Sequence, residues 1–205
     1  MRTQADLSYR GVAVAALACL LCACTAMPER PVTNPFAVPS DKILVVGKVE
    51  LHPQLRPDEQ SLRTSIGEDF RNVFILYCGA QVRDLRAKRP ETFSGSFMLT
   101  LDQGFYLKVD RAPAFYVSGG LFYAVYDPPF AIETRVFSSV YKADLQPDDD
   151  AVYIGTIQYY RDESDKLTLV TVRDDYEWAN GEFQDMFGSY RKLRKALLAP
   201  VSSGR

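Results

Sequence analysis

The side chains with the widest chemical range in this chain of 205 residues are one histidine and four cysteines. His52 lies between Leu51 and Pro53 at the end of an expected strand, and no Gly-x-Ser-x-Gly motif occurs in the sequence. A catalytic triad or a histidine-based metal site would depend on His52 alone, so we expect a loop histidine. Cys78 lies in the apolar run Val73–Gly79, where nothing nearby would lower a thiol pKa, and we expect it to be buried and inert.

Acidic residues form the second group that could do chemistry. Asp144 and Asp148 to Asp150 could offer oxygens to calcium, but they lack the alternating spacing and distal glutamate of an EF-hand loop, which favours a solvated turn. The pairs Glu68–Asp69 and Asp174–Asp175 would suit glycoside hydrolysis only if the fold aimed two carboxylates across a cleft. Neighbouring residues on a strand or helix do not point at one another. We therefore expect no enzyme activity, no metal and no cofactor.

Tyrosines are the third group, and they suit binding rather than catalysis. Tyr116, Tyr126, Tyr153 and Tyr159 form a candidate interaction surface, because aromatic residues occupy both faces of their expected strands. An exposed tyrosine face would suit a protein interface or stacking against sugar rings. A carboxy-terminal helix packed over that face would bury the rings instead, and the sequence leaves both interpretations open.

Charge and composition narrow the choice of partner and the number of domains. Lys and Arg number 24 and Asp and Glu 26, a net charge of −2, so we expect no nucleic-acid partner held by phosphate contacts. With 47% hydrophobic residues, the chain has enough apolar material for one packed domain.

The amino terminus has the charge and hydropathy pattern of an export signal. Arg2 and Arg10 precede Gly11–Leu21, an uncharged run rich in Ala and Leu. The segment Leu21-Cys22-Ala23-Cys24 follows, and it resembles the lipobox of bacterial lipoproteins. Cys24 is the best-placed lipid acceptor, because Cys22 has the bulky Leu21 before it and Cys19 lies within the apolar run.

This resemblance implies a lipid anchor. In that family a diacylglyceryl group forms a thioether on the cysteine, here Cys24, and the signal is cut before it. Two or three acyl chains on one residue hold a protein stably to a bilayer. Thr25, rather than Asp, follows Cys24, which implies the outer membrane with the domain facing the periplasm. An ordinary cleaved signal, or an uncleaved membrane-spanning helix over residues 11–27, is the alternative.

The domain organisation follows from these segments. Residues 1–23 are predicted to be the signal peptide, and residues 24–40 a lipidated tether with four prolines. Proline at that density favours polyproline II, about 3.1 Å per residue, which would hold the domain up to about 50 Å from the bilayer. Residues 41–205 are predicted to form one β-rich domain with a helix at about 175–198.

Period-two alternation predicts most of that domain. Ile43, Val45, Val49 and Leu51 share one strand face, with Lys48 and Glu50 on the other. We expect a hairpin joining residues 97–101 to 105–109, and another around Ser118-Gly119-Gly120. An apolar stripe at three- and four-residue spacing predicts the final helix. It contains Tyr176, Ala179, Phe183, Phe187, Tyr190, Leu193 and Leu197.

About nine strands with no helices between them favour a mainly β fold, an antiparallel β-sandwich with a carboxy-terminal helix. In outline this resembles the immunoglobulin-like or transthyretin-like modules of exported bacterial proteins. The expected function is that of a lipid-anchored, non-catalytic structural or protein-interaction component of the envelope. Its partners would be the membrane, through acyl chains on Cys24, and an envelope protein. A glycan- or peptidoglycan-binding module is the alternative, and an envelope hydrolase the third possibility.

Overall fold

The computed structural model describes residues 28–33, 38–56, 73–80, 95–126 and 131–201. Within these ranges it contains ten strands and one α-helix, α1 (Tyr176–Phe187). The strands are β1 (Lys42–His52), β2 (Val73–Gly79), β3 (Ser96–Thr100), β4 (Gly104–Asp110), β5 (Ala114–Tyr126), β6 (Ala131–Asp144), β7 (Ala151–Arg161), β8 (Leu167–Arg173), β9 (Leu193–Lys195) and β10 (Ala199–Pro200).

The strands form two sheets, which confirms the mainly β sandwich with a carboxy-terminal helix. One sheet has the order β4-β1-β7-β8, with β9 beside the first residues of β7, and the other has the order β10-β6-β5-β2-β3. Neighbouring strands are antiparallel except for β1 with β7 and β7 with β9, which are parallel. We call the first the helix sheet, because α1 packs on its outer face, and the second the far sheet.

The strand directions define two ends of the sandwich. β1, β5 and β7 begin at the lower end, at Lys42, Ala114 and Ala151, and β1 and β7 finish at the upper end, at His52 and Arg161. The interior between the sheets is apolar, and Ile43, Val45, Val49 and Leu51 are all buried in it. The predicted alternation of β1 is thereby confirmed, with Lys48 and Glu50 on the outer face of the helix sheet.

The two hairpin predictions are wrong. β3 pairs with β2 in the far sheet and β4 pairs with β1 in the helix sheet, so residues 101–103 pass from one sheet to the other. Residues 114–126 form one continuous strand, β5, with a bulge between Val117 and Gly119, whose φ is 134°. A Cβ at Gly120 would lie 2.1 Å from the Phe74 ring, so glycine there allows close packing rather than a turn.

The helix prediction extends too far. α1 ends at Phe187, and Gly188 follows with a φ of 58°, a left-handed conformation that ends the α-helix, after which Gly188–Tyr190 form one 3-10 turn. The apolar residues of the stripe up to Phe187 face one side of α1. Leu193, which the stripe assigned to the helix, instead lies in β9 beside Ala151. The basic residues Arg194 and Lys195 follow it in β9, and Arg191 and Lys192 precede it outside any helix, so none of them is in a final helical turn.

The described part of the proline-rich stretch is packed on the domain, so the predicted semi-rigid polyproline tether is wrong for that part. The Glu29 N–H donates to the Ser96 carbonyl at 2.8 Å, and the Met98 N–H donates to the Glu29 carbonyl at 2.8 Å. The Val32 N–H donates to the Tyr106 carbonyl at 2.7 Å. Val38 is buried beneath α1. Backbone that binds two edge strands in this way behaves as an extra strand, not as a spacer.

Candidate functional site

The four predicted tyrosines do not form one exposed patch. Tyr116 is half-buried on β5, and Tyr153 and Tyr159 are completely buried, so their prediction as surface residues is wrong. The backbone of Tyr126 ends β5, but its side chain lies outside the described part of the structure. Cys24 also lies outside the described residues, so its lipid attachment stays a prediction.

Tyr153 and Tyr159 are buried in different apolar clusters on opposite faces of β7. Tyr153 lies under α1, where its hydroxyl accepts a hydrogen bond from the Asp175 N–H at 2.9 Å. Tyr159 lies between the sheets, with its ring centroid 5.1 Å from that of Phe74. Residues six apart on a regular strand would share a face, but the register of β1 and β7 shifts after Tyr153, at the positive-φ Gly155. That bulge reverses the side-chain alternation.

The outer face of the helix sheet is divided into an apolar and a polar half. α1 covers the lower half with Ala179, Phe183 and Phe187. The residues it covers are Leu44, Val46, Tyr106, Ala151 and Tyr153. The upper half carries polar side chains from three adjacent strands, and we call it the charged platform. It consists of Lys48 and Glu50 on β1, Gln158 on β7, and Thr171 and Arg173 on β8.

Glu50 is the centre of the charged platform. Its Oε1 lies 2.8 Å from Lys48 Nζ and 2.9 Å from Arg173 Nη2, and its Oε2 accepts a hydrogen bond from Gln158 Nε2 at 3.0 Å. The Thr171 hydroxyl donates to Gln158 Oε1 at 3.0 Å, which fixes the orientation of that amide. The network joins β1, β7 and β8 side by side.

The electrostatics of the platform keep Glu50 ionised. Burial alone would raise the pKa of Glu50, but hydrogen bonds from Lys48 and Gln158, together with the charges of Lys48 and Arg173, lower that pKa to about 2. A general acid needs a carboxyl that holds its proton near neutral pH, and a nucleophile needs a free lone pair. The surroundings of Glu50 suit neither role.

Aromatic rings border the charged platform. The His52 ring stacks on Tyr160 with centroids 4.9 Å apart, and His52 Nε2 lies 3.5 Å from Glu50 Oε2. The Trp178 ring lies beside Lys48, whose Nζ is 5.1 Å from the ring centroid, and Trp178 is 38% exposed. Leu169, on the neighbouring stretch of β8, is 53% exposed. The platform therefore offers both charges and accessible apolar surface.

Two sequence interpretations change with these contacts. His52 is the last residue of β1 with a stacked ring, not a loop histidine. Asp149 is buried, and its carboxylate binds the Arg194 guanidinium through two contacts of 2.5 Å, so it is not part of a fully solvated turn. The prediction that Cys78 is buried is confirmed, and that burial raises the pKa of its thiol.

Sequence reasoning missed the platform because its members are ordinary polar residues spread over 126 positions, from Lys48 to Arg173. The outward position of Lys48 and Glu50 was predictable, but their partners depend on the order of β1, β7 and β8.

Among the described residues no group of three or more His, Cys, Asp or Glu is placed to hold a metal ion. The same ranges contain no helix long and apolar enough to span a membrane.

Comparisons with other proteins add no relative. No protein family model, curated protein or solved structure matches this chain. The immunoglobulin-like or transthyretin-like outline therefore remains an analogy of architecture, and the arguments about function rest on this chain's own residues.

Proposed function

We propose that this protein is a lipid-anchored component of the bacterial envelope that works by binding an envelope protein. It is held in the outer membrane by acyl chains on Cys24, faces the periplasm, and uses the charged platform as its binding surface. The observation that carries the proposal is the Glu50-centred network, which presents fixed charges of both signs beside the exposed Trp178 and Leu169. Aromatic and apolar contacts next to fixed charges are typical of protein interfaces.

Two features support binding over catalysis. Glu50 is ionised and engaged by three partners, so it has little capacity to move a proton at neutral pH. Cys78, a second candidate for chemistry, is fully buried in the core with a raised thiol pKa. Fixed and satisfied polar groups of this kind cost little to bring against a partner with complementary charges.

Position-specific photo-crosslinking in cells tests the binding surface. A photoreactive residue at Leu169 borders the platform, and one at Val136, 48% exposed on β6 of the far sheet, is its matched control. We expect a discrete crosslinked species from position 169 that Arg173→Gln weakens at least several-fold. Equal products from both positions, or none from position 169, would contradict the proposal.

The lipid anchor is tested separately. Cys24→Ala should abolish acyl labelling and leave the unprocessed precursor, whereas Cys22→Ala should leave labelling unchanged. Labelling that survives Cys24→Ala would remove the anchor from the proposal. The fractionation of the labelled protein between inner and outer membranes tests the predicted location.

A glycan or peptidoglycan partner is the second candidate, favoured by the stacked pair His52–Tyr160 and by Trp178 next to hydrogen-bonding side chains. Flat rings flanked by polar groups are the usual elements of sugar recognition. Trp178 is the single tryptophan, so soluble peptidoglycan fragments should change its fluorescence if they bind there. Tyr160→Ala should then weaken that response. An unchanged emission at saturating fragment concentration excludes this candidate.

A further inference from the structure

We infer that the lower end of the sandwich lies against the membrane surface and that the charged platform, in the upper half of the helix sheet, is held at a distance from it. The inference rests on the proposed lipid attachment at Cys24 and goes beyond it, because an anchor alone does not set the orientation of a domain. What sets it is the way the chain after Cys24 is fastened to the two sheets.

The fastening begins at Glu29, five residues after the lipid site. Glu29 is joined to β3 by two backbone hydrogen bonds of 2.8 Å, one donated by its own N–H and one accepted by its carbonyl. Val32 is joined to β4 by a third hydrogen bond of 2.7 Å. Further along, the carbonyl of the buried Val38 accepts from Arg191 Nη2 at 2.9 Å. The segment is thus held at three points before β1 begins.

The free length that remains is short. Only residues 25–27 lie between Cys24 and Pro28, and four Cα-to-Cα steps span at most about 14 Å when fully extended. A 16-residue polyproline spacer would have reached about 50 Å. The acyl chains of Cys24 must enter the bilayer, and Glu29 is one step further along, so Glu29 must lie within about 18 Å of the lipid headgroups.

The direction of the segment identifies which end is close. Glu29 pairs with Phe97 in the parallel sense, and β3 runs from the lower to the upper end, so the described segment from Pro28 to Val32 rises away from the lower end and Pro28 is its residue nearest that end. Glu29, Lys42 and Arg111 line one depression there. Lys42 and Asp110 are ion-paired beside it. The lipid-bearing residue is therefore tied to the end where β1 begins and β4 finishes.

The side chains at the lower end are compatible with headgroups but do not select them by charge. Lys108 is exposed, and the Arg111 guanidinium donates to the carbonyls of Pro147 and Asp149 at 2.9 and 2.8 Å. Among the described residues neither cation has a carboxylate within ion-pair distance. Lys108 is available to lipid phosphates, whereas most donors of Arg111 are used by the carbonyls of Ser40, Pro147 and Asp149. Asp148 is also exposed at this end, so the short covalent link, rather than a uniform positive field, determines the orientation.

This orientation leaves the charged platform accessible to a partner in the aqueous compartment. Glu50 lies eight residues beyond Lys42 on β1, about 26 Å up the strand at 3.3 Å per residue. A partner in the aqueous compartment can therefore reach the platform without contacting the bilayer. With a free 50 Å tether, the platform would have no fixed height or direction.

Energy transfer from a single tryptophan to a dansyl-labelled lipid headgroup tests this orientation. Asp148→Trp and Glu163→Trp, each with Trp178→Phe, place the donor in an exposed acidic turn at the lower and the upper end respectively. In vesicles carrying the lipidated protein, we expect at least a several-fold higher transfer efficiency from position 148. Equal efficiencies, or a higher efficiency from position 163, would overturn the inference.

A spacer control checks that the short link is the cause. Insertion of twelve Gly and Ser residues between Ala26 and Met27 adds an average reach of about 19 Å, and we expect it to reduce the difference between the two positions to near zero. A difference that survives the insertion would assign the orientation to some other contact and overturn the inference as argued.

A second anchoring route separates this inference from the proposed function. A chain beginning at Cys24 can be joined at its amino-terminal cysteine to a synthetic diacyl thioester, and the two tryptophan positions measured again. Mass spectrometry of the native protein reports whether Cys24 is acylated in cells. Absence of native acylation with the predicted transfer difference in the synthetic form would contradict the anchor alone, whereas acylation without the difference would contradict the orientation alone.

Discussion

Arg173 on β8 reaches across β7 to Glu50 on β1, with Nη2 2.9 Å from Oε1, although the two strands are not neighbours in the sheet. The same Nη2 also lies 2.8 Å from Asp175 Oδ2, in the residue that precedes α1. One guanidinium therefore links the middle of the helix sheet to the start of the helix. An arginine can do this because its planar fork offers several donors at once.

Acid should weaken this link over a defined pH range. The pKa of Glu50 is about 2 in the folded protein and 4.5 ordinarily, so the unfolded chain takes up this proton first as the pH falls. The stabilisation is complete above about pH 4.5 and is lost by about pH 2. We expect it to contribute about 2 kcal/mol after solvent screening, measured by urea unfolding at a series of pH values.

Glu50→Gln should remove that pH dependence and lower the stability at pH 7. Asp144→Asn is the matched control, because Asp144 also pairs with a lysine, Lys142 at 2.7 Å, but its side chain is 82% exposed. The control should change stability by less than about 0.5 kcal/mol at pH 7. If Asp144→Asn flattened the acid dependence as much as Glu50→Gln does, the assignment to Glu50 would be wrong.

Two glycine substitutions should change the free energy of unfolding in opposite directions. Gly155 has a φ of 106°, and a Cβ there would lie 2.4 Å from a Val172 methyl carbon, so Gly155→Ala should destabilise the protein by about 2 kcal/mol or more. Gly181 is in α1, and a Cβ there would meet no atom within 4 Å among the described residues beyond the helix's own backbone, so Gly181→Ala should stabilise the protein by about 0.5 to 1 kcal/mol. Urea unfolding of both variants measures the two changes in the free energy of unfolding. If both variants were stabilised, or both destabilised, the result would argue against the bulge at Gly155.

The hydroxyls of the two buried tyrosines, Tyr153 and Tyr159, should also differ in their contribution to the stability of the fold. Tyr153→Phe leaves the Asp175 N–H without its acceptor and should cost about 1 kcal/mol. The Tyr159 hydroxyl is buried, and among the described residues it has no hydrogen bond of normal geometry, although the Ser139 hydroxyl lies close enough to interact with it. Tyr159→Phe should therefore be neutral or stabilising by up to about 1 kcal/mol. A large loss of stability from Tyr159→Phe in thermal unfolding would show that its hydroxyl has a partner.

The apolar face of α1 should carry most of the attachment of the helix to the sheet. Phe183 is completely buried, with its ring centroid 4.6 Å from that of Phe187, so Phe183→Ala should cost about 3 to 5 kcal/mol. Met186, on the same helix, is 37% exposed, and Met186→Ala should cost less than about 1 kcal/mol. Hydrogen exchange should show faster opening of α1 in the first variant only. Comparable effects of both would mean that the helix is held by something other than this face.

Local patterns in the sequence were sufficient for the fold class and for individual strands. Alternation in β1 separated Ile43 and Val45 from Lys48 and Glu50 correctly, because one face of that strand is buried in an apolar interior. The start of α1 followed from the spacing of Ala179, Phe183 and Phe187. These signals are local, since each depends only on the neighbours of a residue along the chain.

The predictions that were wrong concern features that depend on distant parts of the chain. The bulge at Gly155 reversed the side on which Tyr159 lies, and a glycine within a strand can indicate a bulge but does not establish that one occurs. Residues 101–103 resemble a hairpin turn, yet β3 and β4 have stronger partners in separate sheets. The platform depends on β1 and β8 lying on either side of β7, which is a property of sheet order and not of periodicity.

The parallel pairing of β1 with β7 also bears on how quickly the domain can fold. Leu44 is paired with Ala151, 107 positions later, so the central pair of the helix sheet cannot form until most of the chain is present. Contacts between such distant residues slow folding, because the intervening loop must be closed before any contact compensates for the lost entropy. During amino-to-carboxyl export, β1 would emerge long before β7. If the predicted signal peptide directs the chain across a membrane in this order, the central sheet can be completed only after nearly all of the chain has reached the other side.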